Sequence, residues 1–288
     1  MRTNLISNGK RHHATLNVGD LASAFSTPPH PANQEHNESG DPGNKEYWSE
    51  TEHKRFYGGI KSIADAERIL SAGWQEGTDR LEGMRKAPGL STMPGVRDRK
   101  RKMRWADKGD DLNVDRALRG DWDTAWRTTR REITTGTLAV DLYSSWGGNC
   151  DKTAEQMFWT GAVMLVACDL LENAGYRVRL VATMGTESHA CRGSVSRIDV
   201  VLKDDCEPLR IDALAGIVCH AGIFRTAGFK EMLRAPFDLG SNLGHHIDIH
   251  SLPKELAITD PQALIIPDAY DQQTAIANIQ DIVKRIQG

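Results

Sequence analysis

Two aspartates far apart in the chain are the first residues whose surroundings suggest chemistry. Asp141 lies in the alternating stretch Thr137-Leu138-Ala139-Val140-Asp141-Leu142-Tyr143, which runs into the polar turn Ser144-Ser145-Trp146-Gly147-Gly148-Asn149. Asp268 follows a short apolar run, Ala263-Leu264-Ile265-Ile266, that ends at Pro267. Carboxylate and hydroxyl oxygens at the end of a strand suit a hard cation such as Mg²⁺ or Mn²⁺ that keeps several of its waters. Asp141, Ser145 and Asp268 are therefore the candidate metal ligands. Two carboxylates on one edge would serve a metal-dependent hydrolase equally well, and a strand-end Asp also caps backbone N–H groups in the turn that follows.

Other residue sets point to other chemistries. Arg97, Arg99, Lys100, Arg101, Lys102 and Arg104 place six basic side chains in eight positions, a pattern that suits contact with phosphates. Asp107, Asp110, Asp111, Asp115, Asp121 and Asp123 follow at once and offset that charge. Trp105, Trp122 and Trp126 sit among these acids, so they read as anchors of the segment rather than as base-stacking platforms. Cys150 precedes a long helix whose N-terminus would lower a thiol pKa, with His189 or His245 as candidate bases. Cys219 and His220 are adjacent on one predicted helix and point about 100° apart, so they do not form a nucleophile–base pair by themselves. Cys191, Cys206, Cys219-His220 and His245-His246 with His250 offer zinc-binding atoms but lack the paired close spacing of structural zinc motifs. There is neither G-x-x-x-x-G-K-[ST] nor G-x-G-x-x-G after a strand, which removes the usual nucleotide-binding signatures.

The elements that must hold these residues follow from pattern. Thr153 to Asn173 is apolar almost all round, as expected of a helix buried on a sheet, and Gly175 is placed to end it. Tyr176–Thr183 and Ser196–Lys203 read as strands whose connection is too short for a crossover helix, so they are predicted to pair antiparallel. Met184–Gly193 reads as a loop, Arg210–His220 and Gly222–Leu233 as helices, and Gly240–His250 as a loop. Asp271 is expected to cap a terminal helix with Ile276, Ile279, Val283 and Ile286 in one stripe. Upstream, Ser62 and Asp65 predict the start of a short helix that Gly73 stops. Residues 1–50 carry several prolines and glycines, four of the ten histidines and few large apolar side chains, which predicts a disordered tail. Over the whole chain of 288 residues and 31.9 kDa, the net charge is −3 and the mean hydropathy −0.48, so no global charge draws it to nucleic acid. Five widely spaced cysteines without C-x-x-C fit reduced thiols, and no apolar run reaches bilayer length, which together predict a cytoplasmic protein with no membrane partner.

This order of elements (strand, buried helix, antiparallel pair, helices, strand, helix) resembles a von Willebrand factor A-like domain over residues 133–288. That family's metal-adhesion site uses D-x-S-x-S after its first strand, a later threonine and an aspartate after the fourth strand. Here the first motif reads Asp141-Leu142-Tyr143-Ser144-Ser145, with Tyr143 where the first serine would stand, and Asp268 matches the late aspartate; Thr226 is the nearest threonine. The resemblance implies a degenerate site with weak Mg²⁺ or Mn²⁺ affinity. Tyr57-Gly58-Gly59 and Gly73-Trp74-Gln75-Glu76-Gly77 also look like an uncharacterised family common in tailed phages and prophages, which would place the protein in the host cytoplasm. The combined expectation is a three-layer α/β fold with a mostly parallel sheet and one antiparallel strand at 131–288. A helical extension and charged linker at 47–130 and a disordered tail at 1–46 would precede it. The expected function is a non-catalytic binding or assembly module that meets a protein partner at the Asp141–Asn149 edge, through Trp146 and Asn149. The alternatives are a nucleic-acid-associated protein using Arg97–Arg104 and a metal-dependent hydrolase.

Overall fold

The computed structural model describes residues 10–45, 48–87, 90, 103–106, 111–129, 139–148, 150–261 and 263–287. Its centre is a six-stranded sheet in the order β1 (Arg11–Asn17), β7 (Val195–Lys203), β6 (Arg177–Glu187), β5 (Ala139–Ser145), β9 (Ala263–Ile266), with the short β8 (His245–His246) also on β6. β5 runs parallel to both β6 and β9, β6 and β7 are antiparallel, and β1 is parallel to β7. The antiparallel pair is the one the short connection predicts, but β6 extends to Glu187, four residues into the stretch expected to be loop.

One face of the sheet carries the main core. Helix α5 (Ala154–Asn173) lies on Val140, Leu142, Leu180, Ala182, Val200 and Leu202, and from Met157 to Cys168 nearly every side chain is buried. Thr153 caps it reciprocally with Gln156, and Gly175 follows the C-cap at φ 100°. Gly161 lets α6 (Ile211–Val218) come in: a Cβ there would stand 2.3 Å from the Val218 carbonyl oxygen. The terminal helix α9 (Gln272–Gln287) packs beside α5 through Ile279, Ile282 and Val283, after the Asp271 carboxylate accepts from the Thr274 N–H at 2.7 Å. By length and composition α5 would pass as a membrane span, but 67% of that stretch is buried inside the protein. The opposite face is covered by the irregular segment carrying Ile247, Ile249, Leu252, Leu256 and Ile258, which packs on Tyr143, Val181 and Val195. Helices, sheet and this cover form three layers, as the α/β pattern predicts.

Residues 10–45, expected to be disordered, are instead part of the fold. In β1 every second residue, His12, Ala14 and Leu16, is buried. The strand adds to an edge that β7 would otherwise leave unpaired. The following 3₁₀ turn (Val18–Phe25) buries Leu21 and Ala24 completely. Asn33, 0% exposed, then ties this arm down: its amide lies within 2.9–3.2 Å of the carbonyls of Leu233, Ala235 and Phe237, and its Oδ1 accepts from the Leu239 N–H at 2.9 Å. Composition missed the arm because a few buried leucines, Leu16 and Leu21, act together with backbone pairing and one buried amide, none of which stands out in an average over fifty residues.

α1 (Glu50–Tyr57), α2 (Ile63–Ala72) and α3 (Gln75–Arg85) contribute Tyr57, Ile69, Leu81 and Met84 to the same core. Ser62 caps α2 as its sequence predicts. A separate three-stranded sheet, β2 (Met103–Ala106), β4 (Trp126–Thr129) and β3 (Asp111–Leu112), carries the short α4 (Val114–Leu118). The region expected to hold two helices, Arg210–His220 and Gly222–Leu233, is built of α6, α7 (Ala221–Ile223), a π-helical turn (Phe224–Gly228) and α8 (Phe229–Met232).

Candidate functional site

At the C-terminal end of β5 and β9 the chain builds a compact charged rim. Beyond Ser145, the Trp146 N–H donates to the Thr183 carbonyl at 2.8 Å and the indole turns inward, 3% exposed, edge-on to Phe224 at 5.7 Å. Two glycines then shape the turn. A Cβ on Gly147 (φ 134°) would stand 2.5 Å from Phe224 Cζ, and one on Gly148 would stand 2.2 Å from Lys152 Cδ. The Lys152 stem therefore lies across the Gly148 backbone, one residue before the cap of α5. Its ammonium meets Asp268 Oδ2 at 2.5 Å and the Gly147 carbonyl at 3.4 Å.

Asp268 is held from below. The Thr160 hydroxyl of α5 bridges to the Ala269 backbone, and Asn278 of α9 donates to the carbonyls of Pro267 and Asp268 at 3.2 Å each. Tyr270 stands over the pair, half exposed at 50%, with its hydroxyl 3.5 Å from Asp268 Oδ2. Burial and the Asp268 charge push its phenol up. His246, from β8, completes the cluster. Burial first and then the Lys152 charge hold its imidazole near pKa 4, against the opposing pull of Asp268 and Asp248. Its Nδ1, the Ser145 hydroxyl and the Trp146 indole N–H are buried and have no hydrogen-bond partner among the described residues. Ser145, Trp146 and Thr160 line a cavity of about 10 Å³, the size of a single water.

The sequence-predicted ligands are not all brought together. Asp141 pairs in register with Ala263, the first residue of β9, whereas Asp268 lies past that strand's other end. With a rise of about 3.3 Å per residue, Asp141 is roughly 13 Å along the strand from Ser145 and farther still from Asp268. Asp141 is also occupied, accepting from Arg179 Nη1 at 3.0 Å. The expectation of a shared metal site for Asp141, Ser145 and Asp268 is corrected to a rim of Ser145 and Asp268, and the paired carboxylates a hydrolase would use are not formed. Trp146, expected at the partner surface, is a core residue. Asn149 and residues 97–102 of the basic run lie outside the described residues; Arg104 is placed only as backbone of β2. Thr226 is fully buried, its hydroxyl bound to the Gly222 carbonyl at 2.6 Å.

No three His, Cys, Asp or Glu side chains gather into a metal-binding group among the described residues. All five cysteines are free thiols, and burial pushes Cys219 well above the usual thiol range.

A buried ionic seam on the covered face of the sheet was not among the expected sites. Asp199, 5% exposed, takes Arg197 Nε and Nη2 at 2.8 and 2.6 Å, His13 Nε2 at 2.9 Å and the Thr183 hydroxyl at 2.8 Å. Burial opposes its charge, but the hydrogen bonds from His13 and Arg197 hold its carboxyl below the ordinary range. Alternation in β7 could have found it, since Arg197 and Asp199 interrupt the row opposite Ile198, Val200 and Leu202. Arg225 of the π turn was missed as well: it is fully buried, donating to the Phe56 and Lys152 carbonyls at 2.5 Å. It therefore ties the rim to α1.

Comparison with curated proteins and with solved structures found no match. A protein-family match spans residues 10–287, from β1 through α9, and its description is a domain of unknown function, DUF7192. The matched span takes in the N-terminal arm, the small sheet and the rim together, and on that extent the chain belongs to the DUF7192 family.

Proposed function

We propose that the protein is a non-catalytic binding module whose protein partner docks on the rim formed by Gly147, Lys152, Asp268 and Tyr270. The observation that carries this is Tyr270, the one large hydrophobic side chain exposed on the main α/β body among the described residues, standing over a half-buried ion pair. An aromatic anchor beside a desolvated charge pair is the arrangement in which interface energy concentrates. The resemblance of the order of elements in the sequence to von Willebrand factor A domains favours the same end of the sheet as the working edge. Lys152 supplies the positive charge beside Asp268, so Mg²⁺ or Mn²⁺ affinity at Asp268 and Ser145 is weak and in competition with the ammonium.

A photo-crosslinking residue placed at position 270, compared with one at exposed Ser71 on α2, tests the reading in extracts of the source cell. Discrete adducts specific to position 270 are expected, and they should disappear with Lys152→Ala. Equal or absent labelling at the two positions would refute it. The metal component is read by titration calorimetry: Lys152→Met should strengthen Mg²⁺ binding, and adding Asp268→Asn should abolish it.

A further inference from the structure

A second concavity, none of whose lining residues belongs to the rim, opens between α2, α3 and the start of α7, with a volume of about 580 Å³. That is within the size range of small-molecule sites. His220 lines it and is only 4% exposed. Its Nδ1 accepts the Gly222 N–H at 3.1 Å as the cap of α7, which leaves the proton on Nε2. No hydrogen-bond partner for Nε2 is present among the described residues. Burial lowers the His220 pKa to about 4, so at neutral pH the ring is an uncharged donor. The ring's seat is built for it. Trp74 meets it edge-on at 4.6 Å, and a Cβ on Gly58 (φ 64°) would stand 2.9 Å from its Cε1.

The beginning of α3 adds a second donor group. Trp74 occupies the N-cap position and makes no side-chain capping bond, while Gln75 and Glu76 of the first turn line the cleft. The helix's unsatisfied N–H groups and the positive end of its dipole therefore lie at the cleft wall. Gly73 (φ 80°) draws this end against α6, since a Cβ there would stand 2.8 Å from the Asp212 carbonyl oxygen. The carboxylates around the mouth differ in availability. Asp65 is engaged by the Ser62 hydroxyl, the Lys61 N–H and Arg68. Glu76 and Asp212 have no ion-pair partner among the described residues.

An imidazole N–H and a helix N-terminus call for an anionic acceptor, and two unpaired carboxylates nearby call for a cation. A phosphate dianion would meet those carboxylates as a like charge. Ile60, Ile69 and Ala72 supply an apolar wall for the remainder of the ligand. We propose that this cleft binds a free α-amino acid, with its carboxylate on His220 Nε2 and the start of α3 and its ammonium toward Glu76 and Asp212. The site stands independently of the rim.

Saturation-transfer NMR on the full chain with an equimolar mixture of the twenty L-amino acids tests this directly. Transfer to at least one amino acid is expected. Its decarboxylated amine and its desamino acid should each bind about tenfold more weakly or worse, the loss of one charge-assisted contact. His220→Asn keeps a capping oxygen for α7 and removes the cleft donor, so it should weaken binding while leaving the melting temperature close to that of the parent. Glu76→Gln and Asp212→Asn change exposed side chains and should each weaken the amino acid but not the desamino acid. No transfer to any amino acid, or equal binding of the desamino acid, overturns the proposal. So does unchanged affinity in the folded His220→Asn protein, or, if that variant does not fold, in both carboxylate variants.

Discussion

Individual buried histidines make this protein sensitive to acid. His12 and His220 are 3% and 4% exposed, and burial first, with neighbouring histidines also acting on His12, lowers each to about pKa 4. The unfolded chain takes up these protons near pH 6.5 and the folded chain does not until near pH 4. Stability is therefore fully present above pH 6.5 and declines as the pH falls toward 4, by about 1.4 kcal/mol per pH unit for each histidine. Denaturant titrations at pH 7, 6 and 5 should show the midpoint falling, and His220→Asn should flatten that dependence. Asp199 acts at lower pH: its depressed carboxyl contributes stability above its unfolded value that is lost as the pH falls through the folded one. An acid profile that is level between pH 7 and 5 would contradict the buried neutral state of these rings.

Among the elements, the N-terminal arm is tied to the body by Asn33 as well as by its buried Leu16 and Leu21. One amide holds three carbonyls with two hydrogens, sharing at least one of them, and its oxygen holds the Leu239 N–H. Asn33→Ala would orphan three backbone groups in a fully buried setting, the Ala235 and Phe237 carbonyls and the Leu239 N–H, while the Leu233 carbonyl keeps the His30 N–H at 3.0 Å. Each such group costs about 1–3 kcal/mol, so a loss of at least about 3 kcal/mol is expected in a chemical denaturation curve. Asn33→Asp should be nearly as damaging, because it keeps the acceptor and removes both donors. A loss below 1 kcal/mol for Asn33→Ala would mean that the arm is anchored elsewhere.

Across the whole molecule, β1 closes the sheet on the β7 side, and the family match begins at residue 10, the residue before that strand. Removing residues 1–18 should leave the edge of β7 unpaired over its full register with Arg11–Asn17 and uncover the apolar residues beneath it. Such an edge recruits other chains. The truncated protein should elute as higher oligomers on size exclusion and melt earlier, whereas a monomer of unchanged stability would show that the arm is dispensable. The rim should survive this change, because its supports, Thr160, Asn278 and Arg225, come from α5, α9 and the π turn.

Local pattern determined the parts of this protein that repeat or terminate cleanly: β5, the buried α5 with Gly175 after it, the antiparallel β6–β7 pair, β9, and the capped α2 and α9. Those signals lie within a few residues of one another, so they are legible without the fold. The rim was legible only in part. Ser145 and Asp268 stood out, but Lys152, Tyr270 and His246 gain their meaning from strands that meet across more than a hundred residues. Asp141 misled because its sequence context cannot tell the two ends of a strand apart once Arg179 is brought beside it. The order of β1 and the burial of Trp146 and Arg225 were decided by tertiary structure alone, since backbone pairing at a sheet edge and the satisfaction of buried charge involve partners that no stretch of sequence contains.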